Sequence, residues 1–133
     1  MSNAIQQSLA DCKTIAVVGL SPKPHRDSFR IAKYMQDHGF RIVPINPNAT
    51  EVLGEKAYAS LTEAATHARI DMVNCFRNSE DIPPIATEAI AIGAKSLWLQ
   101  LGVVNDAAAQ QATNAGLVVV QDRCLMVEHR QLR

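Results

Sequence analysis

The chain has 133 residues, of which 47% are hydrophobic and 20% charged, and its 13 basic residues balance 13 acidic ones. This length predicts a single domain over residues 1–133, and the composition is that of a compact protein rather than a disordered one. A net charge of zero provides no general attraction for nucleic acid or for an anionic membrane surface, and no apolar run approaches the roughly 20 residues of a membrane span. We therefore expect neither a nucleic-acid partner nor a membrane partner.

The cysteines and the N-terminal segment indicate the cellular compartment. Cys12, Cys75 and Cys124 are odd in number and widely spaced, which disfavours both a disulfide framework and a zinc site. Residues 1–11 lack the basic and apolar segments of an export signal. The sequence therefore predicts a cytoplasmic protein without a metal site.

The most informative segment joins a predicted strand to a predicted helix through a loop rich in Gly, Ser and Pro. Residues 15–18 are apolar and mostly β-branched, which is typical of a strand buried on both faces. Gly19 lets the chain turn sharply and approach a ligand closely. Asp27 or Ser28 is then expected to cap a helix that stops at Gly39. Because a helix N-terminus offers unpaired N–H groups and a positive dipole end, the segment predicts a site for a nucleotide-like anion.

The rest of the chain alternates predicted strands and helices. Pro44 places the second strand near a sheet edge or beside a very short neighbour, for which residues 57–58 are the candidate. Ser60 is expected to cap one helix, and an alanine-rich helix ends at Gly116. Such alternation with short connections predicts a doubly wound, mainly parallel sheet. The further strands are predicted at 40–45, 70–76, 95–101 and 117–120, and the further helices at 61–67, 80–92 and 123–130.

In such sheets ligands bind beyond the carboxyl ends of the strands. The first loop contains one glycine and two prolines instead of a GxGxxG fingerprint, and Asn46 stands where NAD-binding domains have an acidic ribose ligand. NAD is therefore disfavoured. Basic side chains at Lys23, Arg26 and Arg77 suit several phosphates, although the first two also suit a solvated surface. The loops at this edge are residues 19–26, 46–50, 76–79 and 100–103.

Five short motifs occur in order along the chain. They are Gly19-Leu-Ser-Pro-Lys-Pro-His-Arg-Asp-Ser28, Pro44-Ile-Asn-Pro47, Cys75-Phe-Arg-Asn-Ser-Glu80, Trp98-Leu-Gln-Leu-Gly102 and Asp122-Arg-Cys124. Over roughly residues 12–132 the chain resembles the stand-alone CoA-binding domain family, which is similar to the first domain of the succinyl-CoA synthetase α subunit. The resemblance implies an α/β, Rossmann-like sheet of five to six strands with helices on both faces, which holds CoA or an acyl-CoA.

The resemblance also implies which residues contact the ligand. Residues 21–24 would meet the phosphates, the residues after the second strand would make further contacts, and residues 76–78 would flank the nucleotide. Together with the basic side chains, it gives a predicted site of Gly19, Leu20, Ser21, Pro22, Lys23, Pro24, Arg26, Ser28, Asn46, Pro47, Phe76, Arg77 and Asn78.

No catalytic triad is recognisable, and the chain has no length for the phosphohistidine domain of the synthetases. We therefore predict a protein that binds CoA without catalytic residues of its own. The alternatives are an NAD(P)-binding oxidoreductase and a subunit of an enzyme that acts on CoA thioesters. The sequence leaves open a homo-oligomer or a partner subunit. Cys124 follows the last strand, where one hypothesis is a mixed disulfide with CoA and the other is buried packing.

Overall fold

The structure is a computed structural model, and it describes residues 3–132. Its helices are Asn3–Asp11 (α1), Asp27–Asp37 (α2), Leu61–Ala65 (α3), Ile82–Ala91 (α4), Asp106–Asn114 (α5) and Leu125–Leu132 (α6). Its strands are Thr14–Val18 (β1), Arg41–Ile45 (β2), Glu51–Val52 (β3), Glu55–Lys56 (β4), Met72–Cys75 (β5), Ser96–Leu99 (β6) and Val118–Val120 (β7). A 3-10 turn, Ser79–Asp81, precedes α4.

Five strands form one parallel sheet in the order β2-β1-β5-β6-β7. The chain runs from β1 through α2 to β2 on one side, and it then returns to place β5 on the other side of β1. The direction of winding therefore reverses between β1 and β5, and in open α/β sheets this reversal creates a crevice at the carboxyl ends of the strands. The predicted Rossmann-like, doubly wound α/β fold is confirmed.

Helices cover both faces of the sheet, because alternate strand residues point to opposite sides. Val18 and Cys75 belong to the core under α3, α4 and α5, whereas Val17 and Trp98 belong to the core under α1, α2 and α6. The Trp98 indole Nε1–H donates to the Arg123 carbonyl over 2.9 Å. Burial raises the pKa of Cys75 to about 12, so this thiol stays protonated at neutral pH.

Asp71 joins the amino ends of several strands. Its carboxylate accepts the N–H groups of Lys13 and Thr14 over 2.9 and 3.1 Å, and Arg69 and Lys95 each lie 3.9 Å from it. Burial alone would raise the pKa of Asp71, but the two backbone hydrogen bonds and the two cations hold it below its usual value. The ionised carboxylate therefore stabilises this edge of the sheet.

Pro44 lies in the edge strand β2, as predicted. Tyr58 is its very short neighbour: the Tyr58 N–H donates to the Pro44 carbonyl over 3.0 Å, and the Tyr58 carbonyl accepts the Asn46 N–H over 2.8 Å. Ser60 caps α3 by accepting the Glu63 N–H, and Asn105 caps α5 by accepting the Ala108 N–H. The predicted elements occur with bounds that differ by at most two residues.

The predicted cap of α2 is wrong. The helix begins at Asp27, and Arg26 occupies the N-cap position without a side-chain hydrogen bond to the helix. The buried Ser28 hydroxyl instead accepts the Ser21 N–H over 3.0 Å, because it turns back beneath the first loop. Helix α1 and the antiparallel hairpin β3–β4 were not predicted.

Candidate functional site

Three adjoining cavities follow the carboxyl edge of the sheet. The asparagine cavity, about 520 Å³, contains Asn46 and Arg77 in its wall. The loop cavity, about 420 Å³, lies at Arg26 and the start of α2, and the cysteine cavity, about 230 Å³, lies at Cys124. Phe76 lines all three cavities, so this edge of the sheet offers adjacent sites for a long ligand.

Gly19 lets the first loop pass closely over the end of β5. Its φ angle is +87°, and a Cβ at this position would lie 2.6 Å from the Phe76 carbonyl oxygen and 3.2 Å from the Arg77 Cδ. The sequence predicted that Gly19 lets the chain approach a ligand closely. In the structure, Gly19 lets the first loop approach the protein's own backbone. Any larger residue would push the first loop away from β5.

Asn46 fixes the geometry of the asparagine cavity. Its Nδ2 donates to the Leu20 carbonyl over 2.9 Å, and its Oδ1 accepts the Asn48 N–H over 2.8 Å. Since both ends of the amide are used, Asn46 connects the loop after β2 to the loop after β1. The surrounding wall combines apolar side chains with a polar rim, as ligand sites in proteins usually do.

Arg77 supplies the positive charge at this cavity. It directly follows Phe76, its side chain is 46% exposed, and its Nη2 lies 3.2 Å from the Asp81 carboxylate. This ion pair orients the guanidinium and uses only part of its donor capacity, because a guanidinium carries five N–H donors. Arg77 can therefore hold a phosphate or another anion while its carboxylate partner remains in place.

The loop cavity faces the uncapped N-terminus of α2. The N–H groups of the first helical turn have no side-chain cap, and they carry the positive end of the helix dipole. Arg26 and Lys23 form no ion pair with a carboxylate within residues 3–132. The Asp27 carboxylate also lies at this cavity, but the Arg30 guanidinium pairs with it. The balance of charge at the loop cavity therefore favours an anion.

The cysteine cavity lies between α2 and α6 and beside the loop after β6. The buried Gln100 lines it and donates from Nε2 to the Asn74 Oδ1 over 2.8 Å. Sequence reasoning placed Cys124 and the loop at residues 100–103 on this edge, but it did not find this pair of amides. The signal was present, since Asn74 is a polar residue at the centre of an otherwise apolar strand.

The structure brings most of the predicted site residues together. The walls of the three cavities contain Gly19, Ser21, Arg26, Ser28, Asn46, Pro47, Phe76 and Arg77. Those that line none of the three cavities are Leu20, Pro22, Lys23, Pro24 and Asn78. Leu20 is buried and offers its carbonyl to Asn46, whereas the other four are exposed.

Sequence reasoning missed the wall that α3 and α4 contribute. Ser60 and Glu88 line the asparagine cavity from these helices, far along the chain from the first loop. The Glu88 carboxylate accepts the Thr62 hydroxyl over 2.7 Å, which connects α4 to α3. No local pattern in the sequence indicates this wall, because only the tertiary packing brings the two helices to the end of β2.

Two other kinds of site receive no support from the described part of the chain. Across residues 3–132, no group of three or more His, Cys, Asp or Glu side chains is arranged to hold a metal ion. None of the helices in that range is long and apolar enough to cross a membrane.

Comparison with known proteins identifies the family. The CoA binding domain family matches residues 13–130, so the chain belongs to that family. The uncharacterized protein YneT of Bacillus subtilis (strain 168) is 44% identical over 125 residues, which cover 94% of this chain and 91% of YneT. A solved structure of a hypothetical protein from Pyrococcus horikoshii OT3 is 39% identical with a TM-score of 0.90, and the match covers 96% of this chain and 89% of that one.

A more distant relative connects the chain to synthetases. Acetate–CoA ligase [ADP-forming] II of Archaeoglobus fulgidus is 29% identical over 85 residues. These residues make up 62% of this chain but only 12% of the ligase. The predicted membership of the CoA-binding family and the similarity to synthetase domains are therefore confirmed, whereas most of the ligase has no counterpart in the match.

Proposed function

We propose that this member of the CoA binding domain family binds CoA or an acyl-CoA across the carboxyl edge of its sheet and performs no catalytic chemistry of its own. The observation that carries the proposal is the uncapped N-terminus of α2, which faces the loop cavity between the other two cavities. A ligand with a central run of phosphates and two long ends matches this order of cavities.

The loop cavity would hold the pyrophosphate of CoA. The first-turn N–H groups of α2 are donors without a capping side chain, and phosphate at a helix N-terminus is stabilised by these groups and by the dipole. Arg26 lines the cavity, and the exposed Lys23 lies in the same loop without a carboxylate partner. The Ser21 and Ser28 hydroxyls hold the loop in shape, since each accepts a backbone N–H.

The asparagine cavity would hold the nucleotide end of CoA. Arg77 stands in its wall, where a guanidinium can bind the ribose phosphate that CoA carries in addition to its pyrophosphate. Asn46 is a neutral amide that is already bound to Leu20 and Asn48, so the position offers no carboxylate for the ribose of NAD. This arrangement favours CoA over NAD.

A role as a subunit of an enzyme that acts on CoA thioesters is the second candidate, and the match to the acetate–CoA ligase favours it. An enzyme subunit would need its partner chain, so an assay of the isolated chain tests only whether this chain has chemistry of its own. If the chain only binds, the purified protein forms no thioester from acetate, CoA and a nucleotide triphosphate. Steady thioester production, with contaminating ligase excluded, would contradict the proposal of binding alone.

Calorimetric titration with CoA, acetyl-CoA, NAD and NADP tests the proposal. We expect CoA and acetyl-CoA to bind, and NAD to bind at least about tenfold more weakly, a difference of roughly 1.4 kcal/mol. Dephospho-CoA, which lacks the ribose phosphate, should bind more weakly than CoA, because it cannot use Arg77 fully. Equal affinities for NAD and CoA, or no heat with CoA, would overturn the proposal.

A further inference from the structure

Cys124 lies in the wall of the cysteine cavity, next to the proposed phosphate site. The cavity shares Asp27 and Phe76 with the loop cavity, so the two spaces adjoin. Cys124 is a free and partly exposed thiol, whereas Cys12 and Cys75 are buried. Burial raises the pKa of both buried thiols to about 12, which leaves them unreactive at neutral pH.

A second feature of this cavity indicates a ligand. Gln100 is 3% exposed and lines the cavity, and its Nε2 donates to the fully buried Asn74. Within residues 3–132, the Asn74 Nδ2 has no hydrogen-bond partner, and the Gln100 Oε1 accepts no hydrogen bond. Asn74 is not part of the cavity wall, so the group that a ligand can reach is the Gln100 carboxamide oxygen, which is free to accept a hydrogen bond from an amide N–H in the cavity.

The chemistry of the cavity matches the arm that ends in the thiol of CoA. That arm carries amide groups, which can pair with the Gln100 carboxamide, and it carries methyl groups that suit apolar walls. Ile31, Met126 and the 70% exposed Leu101 provide such walls around Cys124. A CoA molecule with its pyrophosphate in the loop cavity would therefore bring its sulfur toward Cys124.

We infer that Cys124 is a site of covalent CoA capture, in which it forms a mixed disulfide with CoA bound in the cysteine cavity. This inference rests on the proposed function. The Cys124 thiolate attacks one sulfur of a CoA disulfide, a new sulfur–sulfur bond forms, and the other CoA leaves as a thiolate that takes up a proton. The Cys124 sulfur is oxidised, the departing CoA sulfur is reduced, and a thiol reductant reverses the exchange.

Intact-mass measurement of the purified chain with CoA disulfide tests this inference. We expect one CoA adduct per chain, which dithiothreitol removes, Cys124→Ser abolishes and the matched Cys12→Ser variant retains. Glutathione disulfide, which carries no nucleotide, should react at least about tenfold more slowly at equal concentration. Desulfo-CoA, which binds without a thiol, should slow the reaction of CoA disulfide. Peptide mapping of the wild-type adduct locates the modified residue even if Cys124→Ser does not fold.

The possible failures are distinguishable. If calorimetry detects CoA binding but no adduct forms, or the adduct lies on Cys12, the inference is wrong and the proposed function stands. Equal rates with glutathione disulfide and CoA disulfide would also overturn the inference, because they would show an exposed thiol without a binding site. If CoA itself does not bind, the proposed function and the inference both fail.

Discussion

The two edges of the sheet use their polar groups in opposite ways. At the amino edge, the Asp71 carboxylate accepts two backbone N–H groups and faces Arg69 and Lys95, so charge and hydrogen bonds are satisfied within the protein. At the carboxyl edge, α2 has no side-chain cap, and Arg26 lacks a carboxylate partner within the described part of the chain. The polar groups of the first edge are satisfied within the protein, whereas the second edge leaves donors available for the proposed ligand.

This division makes a general prediction about substitutions. Changes at the amino edge should reduce the free energy of unfolding and leave CoA affinity unchanged. Changes at the carboxyl edge should weaken CoA binding and leave the free energy of unfolding unchanged. Gly19 is the expected exception, because it lies at the carboxyl edge and also packs against β5.

Gly19→Ala should have the largest effect. The φ angle of +87° and the contact of 2.6 Å with the Phe76 carbonyl oxygen together predict a loss of about 2–4 kcal/mol in the free energy of unfolding. Gly39→Ala is the matched control, since its φ angle is +93° but nothing lies within 4 Å of its Cβ, so it should lose about 1 kcal/mol. Urea denaturation measures both values. Equal losses would show that the contact with Phe76 does not matter.

Asp71→Asn should reduce the free energy of unfolding by about 0.5–2 kcal/mol at pH 7, because the Asn oxygen can still accept both N–H groups but the negative charge of the acceptor is lost. The folded-state pKa of Asp71 is lowered, so its contribution is present above the usual pKa of about 3.9 and is lost as pH falls through the folded-state pKa. The difference between wild type and variant should therefore shrink in acid. Asp37→Asn, which removes an exposed pair with Lys33, is the control and should change little. A difference that does not decrease as the pH is lowered below the usual pKa would contradict this assignment.

Arg77→Ala should weaken CoA binding by about 1–2 kcal/mol, or roughly 5–30-fold, with little change in stability. We expect a loss of affinity near the low end of the range for a hydrogen bond to a charged group, because the Arg77 guanidinium already pairs with Asp81. Arg69→Ala is the control, since it removes an exposed arginine from the other edge. If calorimetry shows that a folded Arg77→Ala variant binds CoA as tightly as wild type, Arg77 is not part of the site.

Lys23→Ala should have the smallest effect, about 0.2–1 kcal/mol of CoA affinity, because the side chain is exposed and lines none of the three cavities. The difference should decrease as salt is added, since an exposed charge is screened. Lys33→Ala, on the exposed part of α2, is the control and should leave CoA affinity unchanged. A loss of more than tenfold would instead place Lys23 in direct contact with the ligand.

The sequence predicted the sheet well because its strands carry strong local signals. Residues 15–18 form a buried apolar run that ends at Gly19, residues 70–76 are mostly apolar, and Pro44 correctly indicated the edge strand. Helix α1 was not predicted, although Ile5 and Leu9 lie four residues apart and pack with Ala4 against the core. The strands β3 and β4 have two residues each, which is too short to show an alternation of apolar and polar residues.

The site was only partly predictable for a related reason. Residues next to strand ends, such as Asn46 and Arg77, follow from the rule about carboxyl edges. The cap of α2 was mispredicted because a serine near a helix start usually caps it, whereas Ser28 binds the Ser21 N–H across the loop. The Glu88 contact depends on tertiary packing, which no local sequence pattern reports. Asn74 was visible as a polar residue in a buried strand, and only its pairing with Gln100 depends on packing.

The most direct test of whether CoA binds at the carboxyl edge rather than the amino edge is a map of amide chemical shifts. The isotopically labelled protein is titrated with CoA, and the shift of each backbone amide is followed. If CoA binds at the carboxyl edge, the shifts should concentrate at residues 19–28, 46–48, 76–79 and 100–102. The amides of Lys13, Thr14 and Lys95, which lie at the amino edge, should not move. Shifts centred on Lys13, Asp71 and Lys95, with the first loop unchanged, would contradict the account.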